Sequence, residues 1–145
     1  MVNLLIKTIF LMLFFVFVNT NYYSIAQDIS IITNSNVQDK IDAKMIKHIF
    51  LGKKTQWNNY EQITFFVCKS DDVFDLFVKK YIGISKKQFK NYWKRKVFTG
   101  KGSMPKTFKQ IEKIIKKVEQ TKGSIAFIPK NDHEIESIRI VKVLN

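Results

Sequence analysis

The chain has 145 residues, enough for one domain with a hydrophobic core and too few for two. Its 25 Lys and Arg against 12 Asp and Glu give a formal net charge of +13, a balance that favours anionic partners such as phosphate-like solutes or acidic surfaces. Only Arg95 and Arg139 are arginines, and lysine lacks the planar fork that reads base edges, so nucleic acid is not an expected partner.

The first 26 residues have the order of a secretory signal peptide. Lys7 sits in a short leading segment, Thr8–Val18 is an unbroken apolar run, and Asn19–Ala26 turns polar. Ser24 and Ala26 place small residues where a signal peptidase cuts, ahead of Gln27. The apolar run is shorter than the about 20 residues of a membrane span. The remaining domain, residues 27–145, keeps all 12 acidic residues and all but one of the basic ones, a net charge of +12. Export also argues against nucleic acid.

Asp28–Thr33 is short, apolar and β-branched and reads as a buried strand, followed by turn formers through Asn36. Asp42 is placed to cap a helix through Phe50, with Met45, Ile46, Ile49 and Phe50 inward and Gly52 at its exit. Ile63–Cys68 is a second strand. Ser70, Asp71 and Asp72 cap a helix whose inner face is Phe74, Phe77, Val78 and Tyr81, and Gly83 ends it. Ser85 and Gln88 form a capping box for the next helix, stapled by Ile84 and Phe89. On that helix Phe89, Tyr92, Trp93 and Val97 share one face, and Lys86, Lys87, Lys90, Lys94 and Arg95 take the other. Gly100, Gly102 and Pro105 then force a basic loop.

A second capping box, Thr107 with Gln110, predicts a fourth helix to about Gln120, lined by Phe108, Ile111, Ile114, Ile115 and Val118. Ser124–Ile128 is a third strand, Pro129–Glu134 a turn and Ser137–Val143 a last strand, the final pair close enough for a hairpin. Strands separated by helices predict an α/β fold: a mixed sheet of about four strands flanked by about four helices.

Four blocks of this sequence resemble the phosphate-binding proteins of ABC importers, and in particular a short exported branch of that family. Ile49-Phe50-Leu51-Gly52-Lys53 with Trp57 is similar to its IF.GK…W segment. Tyr92-Trp93 with Val97-Phe98-Thr99-Gly100-Lys101-Gly102 and Pro105 is similar to YW…F.GKG..P. Gly123-Ser124-Ile125-Ala126-Phe127 is similar to GAIGY, with Ala126 for the usual second glycine, and Phe74 to Gly83 matches the F…LG spacing. The resemblance implies one lobe of a type II periplasmic binding protein-like fold. In the two-lobed relatives a cleft between lobes holds the ligand; this length suffices for one lobe, so such a cleft would need a second copy, as in a homodimer.

Full-length relatives grip phosphate with Arg-x-Asp-x-Ser-Gly-Thr at a helix start. Here the same place reads Lys69-Ser70-Asp71-Asp72-Val73-Phe74. Lys69 stands where the arginine would be and Ser70 offers a hydroxyl, whereas the Ser-Gly-Thr is absent. Asp71 and Asp72 complement the helix dipole and would compete with an anion for the same amides. Ser35 and Asn36 after the first strand, and Gly123 and Ser124 before the third, are further candidate anion ligands, because α/β folds place ligands at strand and helix ends. Plain turn chemistry is the simpler account of these four.

The expected function is an exported, non-enzymatic binding protein for phosphate or another small anion, working with a membrane transporter. The alternative is an envelope-associated interaction module that keeps the lobe without the ligand. No catalytic set is expected. His48 and His133 are isolated, Cys68 reads as a small buried side chain that excludes an internal disulfide, and no nucleophile, base and orienting group come together. Neither a cofactor nor a metal site is expected.

Overall fold

The structure, a computed structural model, describes residues 28–130 and 138–144. The predicted signal peptide, His133 and most of the turn after Pro129 lie outside the described residues.

Strand β1, Ile29–Asn34, is buried along its whole length. Helix α1, Ala43–Phe50, starts where expected: the Asp42 carboxylate accepts from the Met45 amide at 2.6 Å. It buries Ile46, Ile49 and Phe50. Strand β2, Thr64–Cys68, leads into α2, Asp71–Phe77. The helix then continues as one π-helical turn, Val78–Ile82, before Gly83 closes it at φ 76°. That extra residue per turn rotates the inner face. Val78 and Ile82 are buried, whereas Tyr81, predicted to point inward, is only half-buried against Phe77.

Helix α3, Lys86–Phe98, carries both arms of the predicted capping box. Ser85 Oγ accepts from the Gln88 amide at 3.2 Å, and Gln88 Oε1 accepts from the Ser85 amide at 2.8 Å. Phe89 and Trp93 are buried, but Val97 is 40% exposed, so the apolar face ends one turn earlier than its spacing predicts.

Two further expectations are corrected. The segment predicted to start a helix at Thr107 instead forms β3, Lys106–Phe108, and helix α4 runs from Ile111 to Gln120. Gln110 stands at its N-cap without a side-chain cap bond. Thr107 and Phe108 lie in parallel register with Val67 and Cys68, and Phe108 meets Phe66 edge-on at 5.8 Å. Ladder bonding and ring packing thus outweigh the local capping signal. Nor do the last two strands form a hairpin. Strand β4, Ser124–Pro129, and β5, Ile138–Val141, each pair antiparallel with β1 from opposite sides.

The result is a five-stranded mixed sheet in the order β3-β2-β4-β1-β5, one strand more than predicted, with β2 parallel to both β3 and β4. Side-chain alternation sends Phe65 and Phe127 to the face covered by α1, α2 and α3. There Phe50 packs against Phe65, Phe77 and Phe127, and the Phe77 and Phe127 rings stack with centroids 3.8 Å apart. Helix α4 covers the other face through Ile114 and Val118.

Two of the sequence blocks meet in space. Side chains of α3 satisfy the carbonyls left over at the end of α1. Trp93 Nε1 donates to Phe50 O at 3.1 Å, Tyr92 Oη to Leu51 O at 2.8 Å, and Lys96 Nζ to Leu51 O and Gly52 O at 3.1 Å each. Gly52, at φ 62°, leaves room for this. A Cβ there would lie 2.8 Å from Trp93 Cη2.

Candidate functional site

Because β1 runs against β2 and β4, the six candidate anion ligands fall at opposite ends of the sheet. Ser35, Asn36, Gly123 and Ser124 cluster where β1 ends and β4 begins. Lys69 and Ser70 stand alone among the six at the other end, where β2 leads into α2.

At the first end the polar groups bond to one another and to α4. Asn34 Nδ2 donates to Val118 O and Glu119 O at 2.8 Å each, while its Oδ1 accepts from the Asn36 amide at 3.1 Å. Asn36 Oδ1 accepts from the Gly123 amide at 3.1 Å, and its Nδ2 donates to Glu61 Oε2. Gly123 O in turn accepts from Trp57 Nε1 at 2.9 Å and from the Thr64 amide at 3.2 Å. Ser124 Oγ, fully buried, donates to Val118 O at 3.0 Å. Ser35 is exposed on the turn, its carbonyl accepting from Gln38 at 2.8 Å.

The other end is open. Lys69 is exposed, and its amide donates to Phe108 O at 2.8 Å, tying the exits of β2 and β3 together. Ser70 is the N-cap of α2 but makes no side-chain cap bond. Asp71 pairs with Lys86 at 2.7 Å. The hydrogen bond from Lys86 is the main cause that holds the Asp71 carboxyl below its ordinary range, with Lys90 and Lys109 adding smaller contributions. Several ammonium groups therefore surround the start of α2, with Asp71 as a local counterweight.

Beside Lys69 a groove of about 230 Å³ opens between α3 and the β2–β3 edge. Val67, Phe74, Phe89 and Trp93 form its floor, Met104, Pro105 and Thr107 lie across it, and Lys69, Lys90 and Lys94 rim it; among the described residues no carboxylate lines it. Lys90 and Lys94 are one helical turn apart, one position after Phe89 and Trp93, so a wall of floor residues and a rim of cations come from the same helix. Sequence reading assigned those two lysines to a solvated face. Their i,i+4 spacing next to the aromatic pair was the available signal. Across Trp93 and the Met104–Pro105 segment lies a second cavity of about 430 Å³, with Thr55, Thr64, Ser103, Lys101 and Lys106 in its walls. The glycine loop therefore separates two basic grooves.

Among the described residues, no group of His, Cys, Asp and Glu is arranged to hold a metal ion, and no helix is long and apolar enough to cross a membrane. Cys68 is fully buried, and burial pushes its thiol up despite an opposing hydrogen bond from the Ser70 backbone. His48 lies half-buried on α1.

No protein-family model matches the sequence, and no curated protein does. Solved structures do match. A candidate phosphate ABC transporter substrate-binding protein from Clostridium perfringens, with phosphate bound, superposes with a TM-score of 0.62 at 20% identity over 81% of this chain and 45% of its own. An ABC-type phosphate transport receptor from Vibrio cholerae gives 0.60 at 11% identity, over 81% of this chain and 46% of its own. A candidate phosphate-binding protein from Planctomyces limnophilus gives 0.58 at 14%, over 82% and 42%. The chain has the fold of a single periplasmic binding protein-like lobe. It spans less than half the length of each of these proteins. Within this lobe the open, lysine-rimmed end is at the exits of the parallel strands β2 and β3, the end of an α/β sheet where ligands commonly bind.

Proposed function

We propose that the protein is an exported, non-enzymatic solute-binding protein of the phosphate-importer type, which receives phosphate or another small anion at the exit of β2 and serves a membrane transporter. The observation that carries this reading is the groove rimmed by Lys69, Lys90 and Lys94, which no carboxylate lines among the described residues, on a fold whose neighbours are phosphate-binding or phosphate-transport proteins by name. Lys69 contributes charge at the mouth, and the Ser70 hydroxyl, with no cap bond of its own, is the nearby neutral donor. Lysines supply attraction and capture rate rather than bidentate geometry, so recognition of this kind is tolerant of the anion's shape. The N-terminal 26 residues support export. Asn36, Gly123 and Ser124 serve the lobe's own closure, since their polar groups are engaged by Glu61, Trp57, Thr64 and α4, while Ser35 stays exposed on the turn with its carbonyl bonded by Gln38.

Thermal melting of the protein against phosphate, sulfate and chloride tests this directly, because a ligand that binds only the folded state stabilises it by about 2.7 kcal/mol at a hundred times its Kd. A rise in Tm with phosphate that Lys69→Gln weakens supports the reading. No shift at millimolar phosphate or sulfate removes it.

A second reading, an envelope-associated interaction module that keeps the lobe without a ligand, is favoured by one observation: the Asp71 carboxylate at the start of α2 opposes an anion arriving beside Lys69. A stable partner recovered from the envelope fraction, with no anion response, would select it.

A further inference from the structure

We infer that the groove beside Lys69 takes an anion carrying an apolar arm, such as an aryl or short acyl phosphate or carboxylate, in preference to bare phosphate. The inference rests on the anion-binding reading above and specifies its ligand class.

The floor of the groove has no hydrogen bond to give. Val67, Phe74, Phe89 and Trp93 are each at most 5% exposed, and three of the four are hydrocarbon. The fourth has spent its donor, since Trp93 Nε1 is bonded to Phe50 O. The Lys69 amide is likewise committed to Phe108 O. Inorganic phosphate seated here would lose water from its inner oxygens against this floor, and among the described lining residues only the Thr107 hydroxyl at the β3 side is a neutral donor, so the loss is only partly offset. The charges stand only at the mouth, on lysine stems that can lie along apolar surface while keeping their ammonium groups in water.

An amphipathic anion matches both layers. Its charged head sits among Lys69, Lys90 and Lys94, and its arm displaces water from the aromatic floor. The volume sets its size. About 230 Å³ is below the range of about 300 to 1,000 Å³ that suits drug-sized ligands, which leaves room for one ring or a short chain with its anionic group. Met104, half exposed across the groove, is a flexible thioether that can adjust to the shape of the arm. The larger cavity beyond Trp93 is more polar, with three hydroxyl residues in its walls against Thr107 in this groove. Hydroxyls of Thr55, Thr64 and Ser103 line it, and Lys96 there is bonded to the end of α1.

Calorimetric titration of the protein with phenyl phosphate, inorganic phosphate and phenol, at one ionic strength, tests the inference. Phenyl phosphate is expected to bind about tenfold tighter than either of the others. The double variant K90Q/K94Q is expected to weaken it about fivefold, while K101Q/K106Q in the other cavity leaves it unchanged. All four lysines are exposed, so unchanged melting curves will show that the variants fold. Phosphate binding as tightly as phenyl phosphate overturns the inference and leaves the anion-binding reading in place. Binding of none of the three overturns both. Loss in K101Q/K106Q with no loss in K90Q/K94Q also overturns the assignment to this groove. As a second readout, the indole N–H resonance of Trp93 should move on phenyl phosphate binding while that of Trp57 stays; the reverse pattern counts against the site.

Discussion

At the end of the sheet where β1 stops and β4 starts, Asn34, Asn36, Gly123 and Ser124 direct their polar groups at one another, at Trp57 and at the last carbonyls of α4. At the opposite end, where β2 and β3 stop, Lys69, Lys90 and Lys94 stand over a floor of apolar side chains. Both ends have the strand exits and turn residues that invite a ligand. The difference is saturation: the first end has used its donors and acceptors to close the fold, and the second has charges left over at the mouth of a groove. Substitutions at the closed end should therefore change stability, and substitutions at the open end should change binding with little effect on stability.

The largest effect is expected at Gly123. It sits at φ 65°, and a Cβ there would run into the Gln62 carbonyl oxygen and the Glu61 side chain. Gly123→Ala should cost about 3 kcal/mol or more, from backbone strain together with the clash, read as a fall in the urea midpoint without a change in slope. A loss below about 0.5 kcal/mol would show that this end is loosely held, since surface changes away from special features stay within that range. Asn34→Ala comes next. The side chain is buried and donates to two carbonyls at the end of α4, so deleting both bonds and leaving a cavity in their place should cost about 2 kcal/mol. Neither substitution should alter the anion preference of the molecules that remain folded.

The open end should answer in the other way. Lys69→Gln removes an exposed charge, and its stability change should stay within about 0.5 kcal/mol. Its anion affinity should fall about threefold at low salt, with the difference shrinking as ionic strength rises. If Lys69→Gln destabilised the protein as much as Asn34→Ala, the contrast between the ends would fail.

This contrast was only half legible in the sequence. Caps and glycines were readable because they act locally: Asp42, the Ser85–Gln88 box and Gly83 all perform their predicted roles. The Thr107–Gln110 box misled because a local signal cannot report that β2 offers Thr107 and Phe108 a parallel partner some 40 residues away. The π turn at Val78–Ile82 was equally hidden, since no residue's helix preference marks it. For the site, Lys69 and Ser70 were found through the resemblance. Lys90 and Lys94 were passed over because a helix face counts as solvated until the element beside it is known, and that element is the unforeseen β3. The same missing strand hid the groove, since Thr107 and the Met104–Pro105 segment that precedes it form one of its sides.

The smallest effect, and the sharpest on the open end, concerns Asp71. Its carboxylate accepts from Lys86 and lies in the field of Lys90 and Lys109, so at neutral pH it cancels part of the attraction an arriving anion would meet. Asp71→Asn should raise phenyl phosphate affinity about twofold at low salt and show less gain at high salt. The pH dependence of stability carries the opposite sign. The folded state holds this carboxyl below its ordinary 3.8, mainly through the Lys86 hydrogen bond, so its contribution is present above that value and disappears as pH falls through the lowered one. Wild type should therefore melt slightly above the Asn variant at neutral pH, and the gap should close in acid. The Asp71 side chain is 84% exposed, which keeps that gap small. A variant that bound more tightly without losing any melting temperature at pH 7 would mean that Asp71 tunes the groove and adds nothing to the fold. A variant that bound no better would mean that Lys86 and Asp71 neutralise each other locally, leaving capture to Lys69, Lys90 and Lys94 alone.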